Sequence, residues 1–264
     1  MNEWLVALIL GVIEGLTEFL PISSTGHLLI AQHWLPRQSE LYNIAIQAGA
    51  ILAVTLVYRA RLWQLAQGWR EPPQADYLRK IAAAFLITAV LGLAAKALGA
   101  ELPETVRPVA AALVLGAFAI FAVEAWVQRQ PLAETVTWTV VVAVGLAQVL
   151  AGVFPGTSRS AAAIFAAMLA GLTLRPRAAE FAFLVGIPTM FAATGYSLLK
   201  TLGDEQARAS EAWGPLALAF AVAAATGFIA VRWLLGFISR HSFVPFAWYR
   251  LALGLGLLWL LPAG

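Results

Sequence analysis

The chain has 264 residues, of which 61% are hydrophobic and only 12% charged, with a net charge of +3 and no cysteine. That composition excludes a disulfide scaffold or thiolate metal site, and apolar runs longer than about 18 residues recur throughout, which identifies a polytopic helical membrane protein rather than a soluble one. The small positive charge calls for no nucleic-acid partner, because Arg and Lys gathered in short loops are what orientation in a membrane requires.

Eight apolar blocks follow one another. The first, near residues 4 to 34, opens with Met1-Asn2-Glu3-Trp4, which lacks a positive n-region and a small-residue cleavage site and is therefore expected to be retained. Inside this block lies the polar island Glu14 to His27 (EGLTEFLPISSTGH). Ionisable groups at membrane depth cost several kcal/mol unless they face a partner or a wet cavity, so Glu14, Glu18 and His27 together mark a functional site. Blocks near 41 to 58, 78 to 99 and 108 to 127 come next, and the fifth, near 137 to 170, carries a second island, Pro155-Gly156-Thr157-Ser158-Arg159-Ser160. Blocks near 179 to 199, 214 to 236 and 244 to 262 complete the chain. Most of the tryptophans, Trp34, Trp126 and Trp213 among them, fall near block ends and read as interfacial anchors.

Sliding the first block onto the fifth with an offset of 134 superposes Gly11 on Gly145, Leu16 on Leu150, Pro21 on Pro155 and Ser24 on Ser158. Later blocks correspond after small gaps, as in Gly49 with Gly186 and Gly116 with Gly254. The chain thus reads as one membrane domain, 1–264, built of two repeats, 1–130 and 131–264. Blocks one and five are about 31 to 34 residues long with a central Pro, where a straight span needs only about 20. Each is predicted to be a broken, re-entrant pair of half-helices. Each repeat then has three crossings, and an odd number inverts the second repeat relative to the first.

Charge counting supports re-entry. It puts Arg59, Arg61, Arg70, Arg79, Lys80, Arg129, Arg175, Arg177, Arg232 and Arg240 on one side, against Arg37, Lys96, Arg107, Lys200 and Arg208 on the other. If all eight blocks crossed, the two sides would be nearly equal, contrary to the positive-inside rule. Both termini are then expected outside, with the first pair dipping in from outside and the second rising from the cytoplasmic side.

On a helix Glu14 and Glu18 share a face, one turn apart. Pro21 should break the chain at Leu20, with Ser23, Ser24 or Thr25 capping the next helix and His27 on its first turn. A helix start offers unpaired N–H groups and a positive dipole end, a ready phosphate site. At the second island Thr157, Ser158 and Ser160 supply hydroxyls, Gly156 lets backbone approach, and Arg159 can grip phosphate bidentately. Carboxylates beside an anionic substrate imply a divalent cation, Mg²⁺ or Ca²⁺, held by Glu14, Glu18 and phosphate oxygens. Ser24 could attack phosphorus with His27 as base, or His27 could itself be the nucleophile; the residue types leave both open.

The strings EGLTEFLPISSTGH and PGTSRS resemble the two signature motifs of the undecaprenyl-diphosphate phosphatase family, the bacitracin-resistance proteins. IQAGAILAV at Ile46 to Val54 and SFVPFAWYR at Ser242 to Arg250 extend the resemblance across the chain. One departure is Ala161, where the family usually has Gly. The resemblance implies an all-α membrane fold of inverted repeats with two re-entrant pairs. It also implies a metal-dependent hydrolase of a polyprenyl diphosphate at the outer face of the bacterial inner membrane. Its functional positions map to Glu14, Glu18, Ser24, His27 and Arg159; the residues themselves suggest Ser23, Thr25, Gly156, Thr157, Ser158 and Ser160 as the phosphate's surroundings. A homodimer is compatible with the sequence, and no loop demonstrates one.

Other polar residues have ordinary readings. Glu124 and Glu180 suit helix packing or the interface as well as function, and Gln47 could line the pocket, though a helix–helix hydrogen bond is the commoner use of such a residue. Arg250 reads as a residue snorkelling to the cytoplasmic interface at least as well as a substrate contact. The rival for the whole chain is a lipid-phosphate or anion carrier, since inverted repeats with broken helices also build transporter sites. The Glu, Ser and His set favours phosphoryl chemistry over transport.

Overall fold

A computed structural model describes residues 2–100 and 105–260, which are helical throughout apart from short connections, with no strand among the described residues. The first block is two helices, α1 (Glu3–Thr17) and α2 (Ser24–Trp34), and the fifth is likewise α7 (Trp138–Val153) and α8 (Arg159–Leu169). Between and after them run α3 (Glu40–Val57), α5 (Pro72–Ala97), α6 (Val106–Val127), α9 (Arg175–Gly203) and α11 (Trp213–Ile238), each long and apolar enough to cross a membrane. The last helix, α12 (Val244–Leu260), is apolar but has 17 residues, and the final two positions of the 244–262 block lie outside the described residues. Two short helices were not expected: α4 (Arg59–Gln67), set off from α3 only by Tyr58, and α10 (Glu205–Ser210). Leu93, Val90, Leu115, Phe118 and Ile229 point outward from the long helices, as side chains facing lipid should.

Each broken pair doubles back on itself. Ahead of α7, the Ala133 amide donates to Thr173 Oγ1 at 2.8 Å, and beyond α8 the Leu174 amide donates to the Ala133 carbonyl at 3.1 Å. The flanks of α7–α8 therefore lie side by side. At the other pair, Trp4 near the start of α1 stands against Gly214, and Ser39, just past α2, donates to Glu211 at 2.7 Å. Both flanks of α1–α2 thus meet the start of α11.

Packing is reciprocal between the two halves. The entry helix α1 packs on α11, and α7 packs on α5; α3 meets α9 and α6 meets α12. With no hydrophobic drive between helices in lipid, close packing at small residues supplies the association. Gly15 is such a position, since a Cβ there would run into the Ala223 carbonyl and the Thr226 side chain.

The breaks differ in an instructive way. At the second, Phe154 is extended immediately before Pro155, as the steric clash with a following proline requires. At the first, α1 already stops at Thr17, with Glu18 as its C-cap, and the turn runs on to Ile22, whose amide donates to the Leu20 carbonyl at 2.7 Å. The next helices restart identically. Ser23 and Ser158 both have φ of 70°, and each accepts the amide three residues on, from Gly26 and Ala161, at 3.3 Å. Positive φ is uncommon outside glycine and clusters at functional sites, where surrounding structure holds the strain. The equivalent caps are thus Ser23 and Ser158 rather than Ser24 and Ser158, because the second turn has one more residue after its proline.

Candidate functional site

The two bends meet. Ser160 Oγ donates to the Glu18 carbonyl at 3.1 Å, and Arg159 Nη1 lies 3.7 Å from Glu18 Oε1. Residues more than a hundred positions apart thereby enclose a polar hollow of about 350 Å³ of empty space, lined by Glu18, Ser23, Ser24, Thr25, Gln47, Ala151, Gly156, Ser158 and Arg159. A second hollow, of about 340 Å³, lies against it and is walled mainly by Phe19, Ile51, Ala182, Phe183 and Met190; Glu18 and Arg159 border both. Arg159 also contacts the Met190 sulfur.

Within the polar hollow Ser24 Oγ donates to Glu18 Oε2 at 2.6 Å, a short bond of the charge-assisted kind. The expected pairing of Ser24 with His27 is not the one formed. His27 Nδ1 lies 2.8 Å from the Ser23 carbonyl, and Nε2 lies 2.6 Å from the Tyr249 hydroxyl, with the two rings stacked. A carbonyl only accepts, so Nδ1 carries the proton and Nε2 accepts from Tyr249. Ser158 and Ser160 hydroxyls stand 3.0 Å apart. Thr157 lines neither hollow and presents its carbonyl to Arg250 instead. Glu14 is fully buried one turn before Glu18 and also lines neither. Gly156 has φ of +87°, and a Cβ there would come within 2.8 Å of the Val109 backbone, so both conformation and space demand glycine.

Arg250 is the principal residue that sequence reasoning misplaced. It does not snorkel; it is completely buried. Its guanidinium donates to five carbonyls: Pro21 (3.4 Å) in the first bend, Gly156 (3.2 Å) and Thr157 (3.1 Å) in the second, and Leu113 (3.4 Å) and Ala112 (2.9 Å) on α6. All five N–H groups of an arginine are thus used. Gly116 on α6 leaves the necessary space, since a Cβ there would overlap the guanidinium. Gln47 lines the polar hollow, the less common of the two uses open to it from sequence. Glu124, by contrast, is structural: it is buried, pairs with Arg175 through both oxygens and accepts the Phe243 amide at 2.8 Å. Glu180 receives Arg61, Tyr77 and Arg177 at the same end of the molecule.

Helices of membrane-crossing length around a polar, hydroxyl-lined hollow define an integral membrane protein with a candidate site inside its helical bundle. The chain belongs to the family described as bacitracin resistance protein BacA, whose family model matches residues 7–256. It is 56% identical over 261 residues to an undecaprenyl-diphosphatase of Xylella fastidiosa strain 9a5c, covering 98% of this chain and all of the relative. It is also 56% identical over 263 residues to undecaprenyl-diphosphatases of Xanthomonas campestris pv. campestris strain 8004 and Xanthomonas axonopodis pv. citri strain 306. Both comparisons cover all of this chain and, respectively, 100% and 99% of the relative.

Proposed function

We propose that this chain is an integral membrane phosphatase that hydrolyses undecaprenyl diphosphate to the monophosphate and inorganic phosphate, which recycles the cell-wall lipid carrier and confers bacitracin resistance. The observation that carries the reading is the polar hollow, where Ser24, Glu18 and Arg159 from two distant bends converge.

In this mechanism Ser24 Oγ attacks the terminal phosphorus and its proton passes to Glu18, the group it already faces. The bond from phosphorus to the bridging oxygen breaks, and the lipid monophosphate leaves with that oxygen. Water then attacks the same phosphorus, the bond to Ser24 Oγ breaks, and Glu18 returns its proton to that oxygen as inorganic phosphate leaves with the protons of the water. Arg159 and the amides at the starts of α2 and α8 stabilise charge spreading on the phosphoryl oxygens. His27 holds Tyr249 and the start of α2; for it to be the nucleophile Tyr249 would first have to leave Nε2.

The residues fit a hard divalent cation, Mg²⁺ or Ca²⁺, shared with the substrate. Glu18 presents a carboxylate at the hollow and Glu14 stands one turn behind it. Among the described residues no three His, Asp or Glu side chains form a closed cage, and Mg²⁺ is commonly held by one or two carboxylates plus substrate phosphates. Such an ion, when bound, polarises the phosphoryl oxygens.

The reciprocal packing and the doubled-back pairs support two inverted repeats, 1–130 and 131–264, each of three crossings and one re-entrant pair. We place both termini and the mouth of the polar hollow on the outer side of the bacterial plasma membrane, on the asymmetry of Arg and Lys. The lipid tail runs between helices or in the adjoining bilayer, and a homodimer is compatible with this arrangement. Phosphate release by detergent-purified protein tests the reading. Arg159→Ala and Glu18→Gln should each lower kcat by about a hundredfold or more, and full activity in both would refute the assignment.

A further inference from the structure

Gln148, on α7, is buried, and neither its amide nitrogen nor its carbonyl oxygen has a hydrogen-bond partner. Leaving a buried carboxamide unpaired is costly, and such an orphan in a native protein calls for an explanation. Its position supplies one. Gln148 lines the second hollow, where the other polar side chains are Glu18, Arg159 and Ser160 and the remaining wall is apolar. The hydroxyl-rich hollow and the apolar hollow thus lie on either side of the Glu18–Arg159 pair.

Resting on the phosphatase reading, we propose that Gln148 is a substrate-binding residue whose amide Nε2 donates to the lipid-linked phosphate. That phosphate, with the first isoprenoid carbons, occupies the second hollow, while the terminal phosphate lies in the hydroxyl-rich one. A diphosphate ester is itself graded in this way, with a doubly exposed anion at one end and a phosphate bonded to hydrocarbon at the other. Arg159 bridges the two because it borders both spaces. At the offset of 134 the first repeat has Glu14 where the second has Gln148. Glu18 already brings one carboxylate to this hollow, offset by Arg159, and a second at position 148 would repel the lipid-linked phosphate. A neutral amide can donate to that oxygen without adding charge.

The test uses the full-length protein in detergent and does not depend on turnover. Isothermal titration calorimetry measures the Kd of farnesyl monophosphate, which carries the lipid-linked phosphate alone, and of inorganic phosphate. Gln148→Leu, similar in size, should weaken farnesyl monophosphate about tenfold or more, the range of a hydrogen bond to a charged group. Inorganic phosphate should bind as in the wild type. The apparent melting temperature should hold or rise, because the substitution removes an unsatisfied buried group. Gln148→Glu should weaken the lipid phosphate further, and covers the case in which the leucine variant fails to fold. Unchanged farnesyl monophosphate affinity in a folded variant overturns the proposal, as does an equal loss for both ligands. Absence of phosphate release by wild-type protein would instead overturn the phosphatase reading, leaving the binding result to stand separately.

Discussion

Replacing Arg250 with Lys keeps the charge and most of the aliphatic stem, so a residue that merely snorkelled would tolerate it. The geometry says otherwise. Five carbonyls converge on the guanidinium, three of them in the two bends that carry the site. An ammonium has three N–H groups at a single point, so at least two carbonyls lose their donor. At about 1–3 kcal/mol for each buried group left unsatisfied, the loss is about 2–6 kcal/mol. Because Pro21, Gly156 and Thr157 fix how the bends meet, part of that loss appears as movement of Glu18 against Arg159. A misplacement of about 1 Å can lower turnover by about a hundredfold. Thermal unfolding followed by tryptophan fluorescence, together with phosphate release, measures both effects. Gly116→Ala, which leaves every charge in place and only intrudes on the guanidinium, should act in the same direction. Wild-type melting and wild-type turnover in Arg250→Lys would refute the reasoning.

Glu124→Gln leaves Arg175 partly buried without its carboxylate, and about 3–5 kcal/mol of stability should be lost. Phosphate release by the surviving folded fraction, assayed below its melting temperature, should keep a near wild-type KM, since Glu124 lines neither hollow. Ser24→Ala should lower kcat by about a thousandfold as the nucleophile is lost, while His27→Ala should cost about ten- to a hundredfold through loosening of the start of α2. The reverse ranking in single-turnover kinetics would transfer the nucleophile to His27.

Helix positions were legible because block length and hydropathy in a membrane leave little else to decide: each of the eight blocks coincides with a helix or a broken pair, the largest offset being at α5, which starts at Pro72 rather than near 78. The two broken blocks were legible because Pro sits centrally in segments too long for one span. What sequence concealed depends on contacts across the fold. Arg250 stands beside Trp248 and Tyr249, the pattern of an interfacial anchor, and only the approach of α6 and both bends shows it to be a clamp. Gln148 sits in a plain apolar run, where its one available signal is the match to Glu14 at the repeat offset. α4 was hidden by its polar composition. Ser24 and His27 were near each other in sequence, yet a local competition decided their partners: the Ser23 carbonyl and Tyr249 took the imidazole, leaving Glu18 to take the hydroxyl.

The meeting of the two bends can be measured directly, since the natural chain has no cysteine to interfere. Cysteines placed at Glu18 and Arg159, whose charged groups lie 3.7 Å apart, should be joined in native membranes by a short bifunctional thiol reagent, nearly completely and within one chain. If each cysteine reacts singly while no linked product forms, the bends do not share a hollow and the proposed catalytic site does not exist.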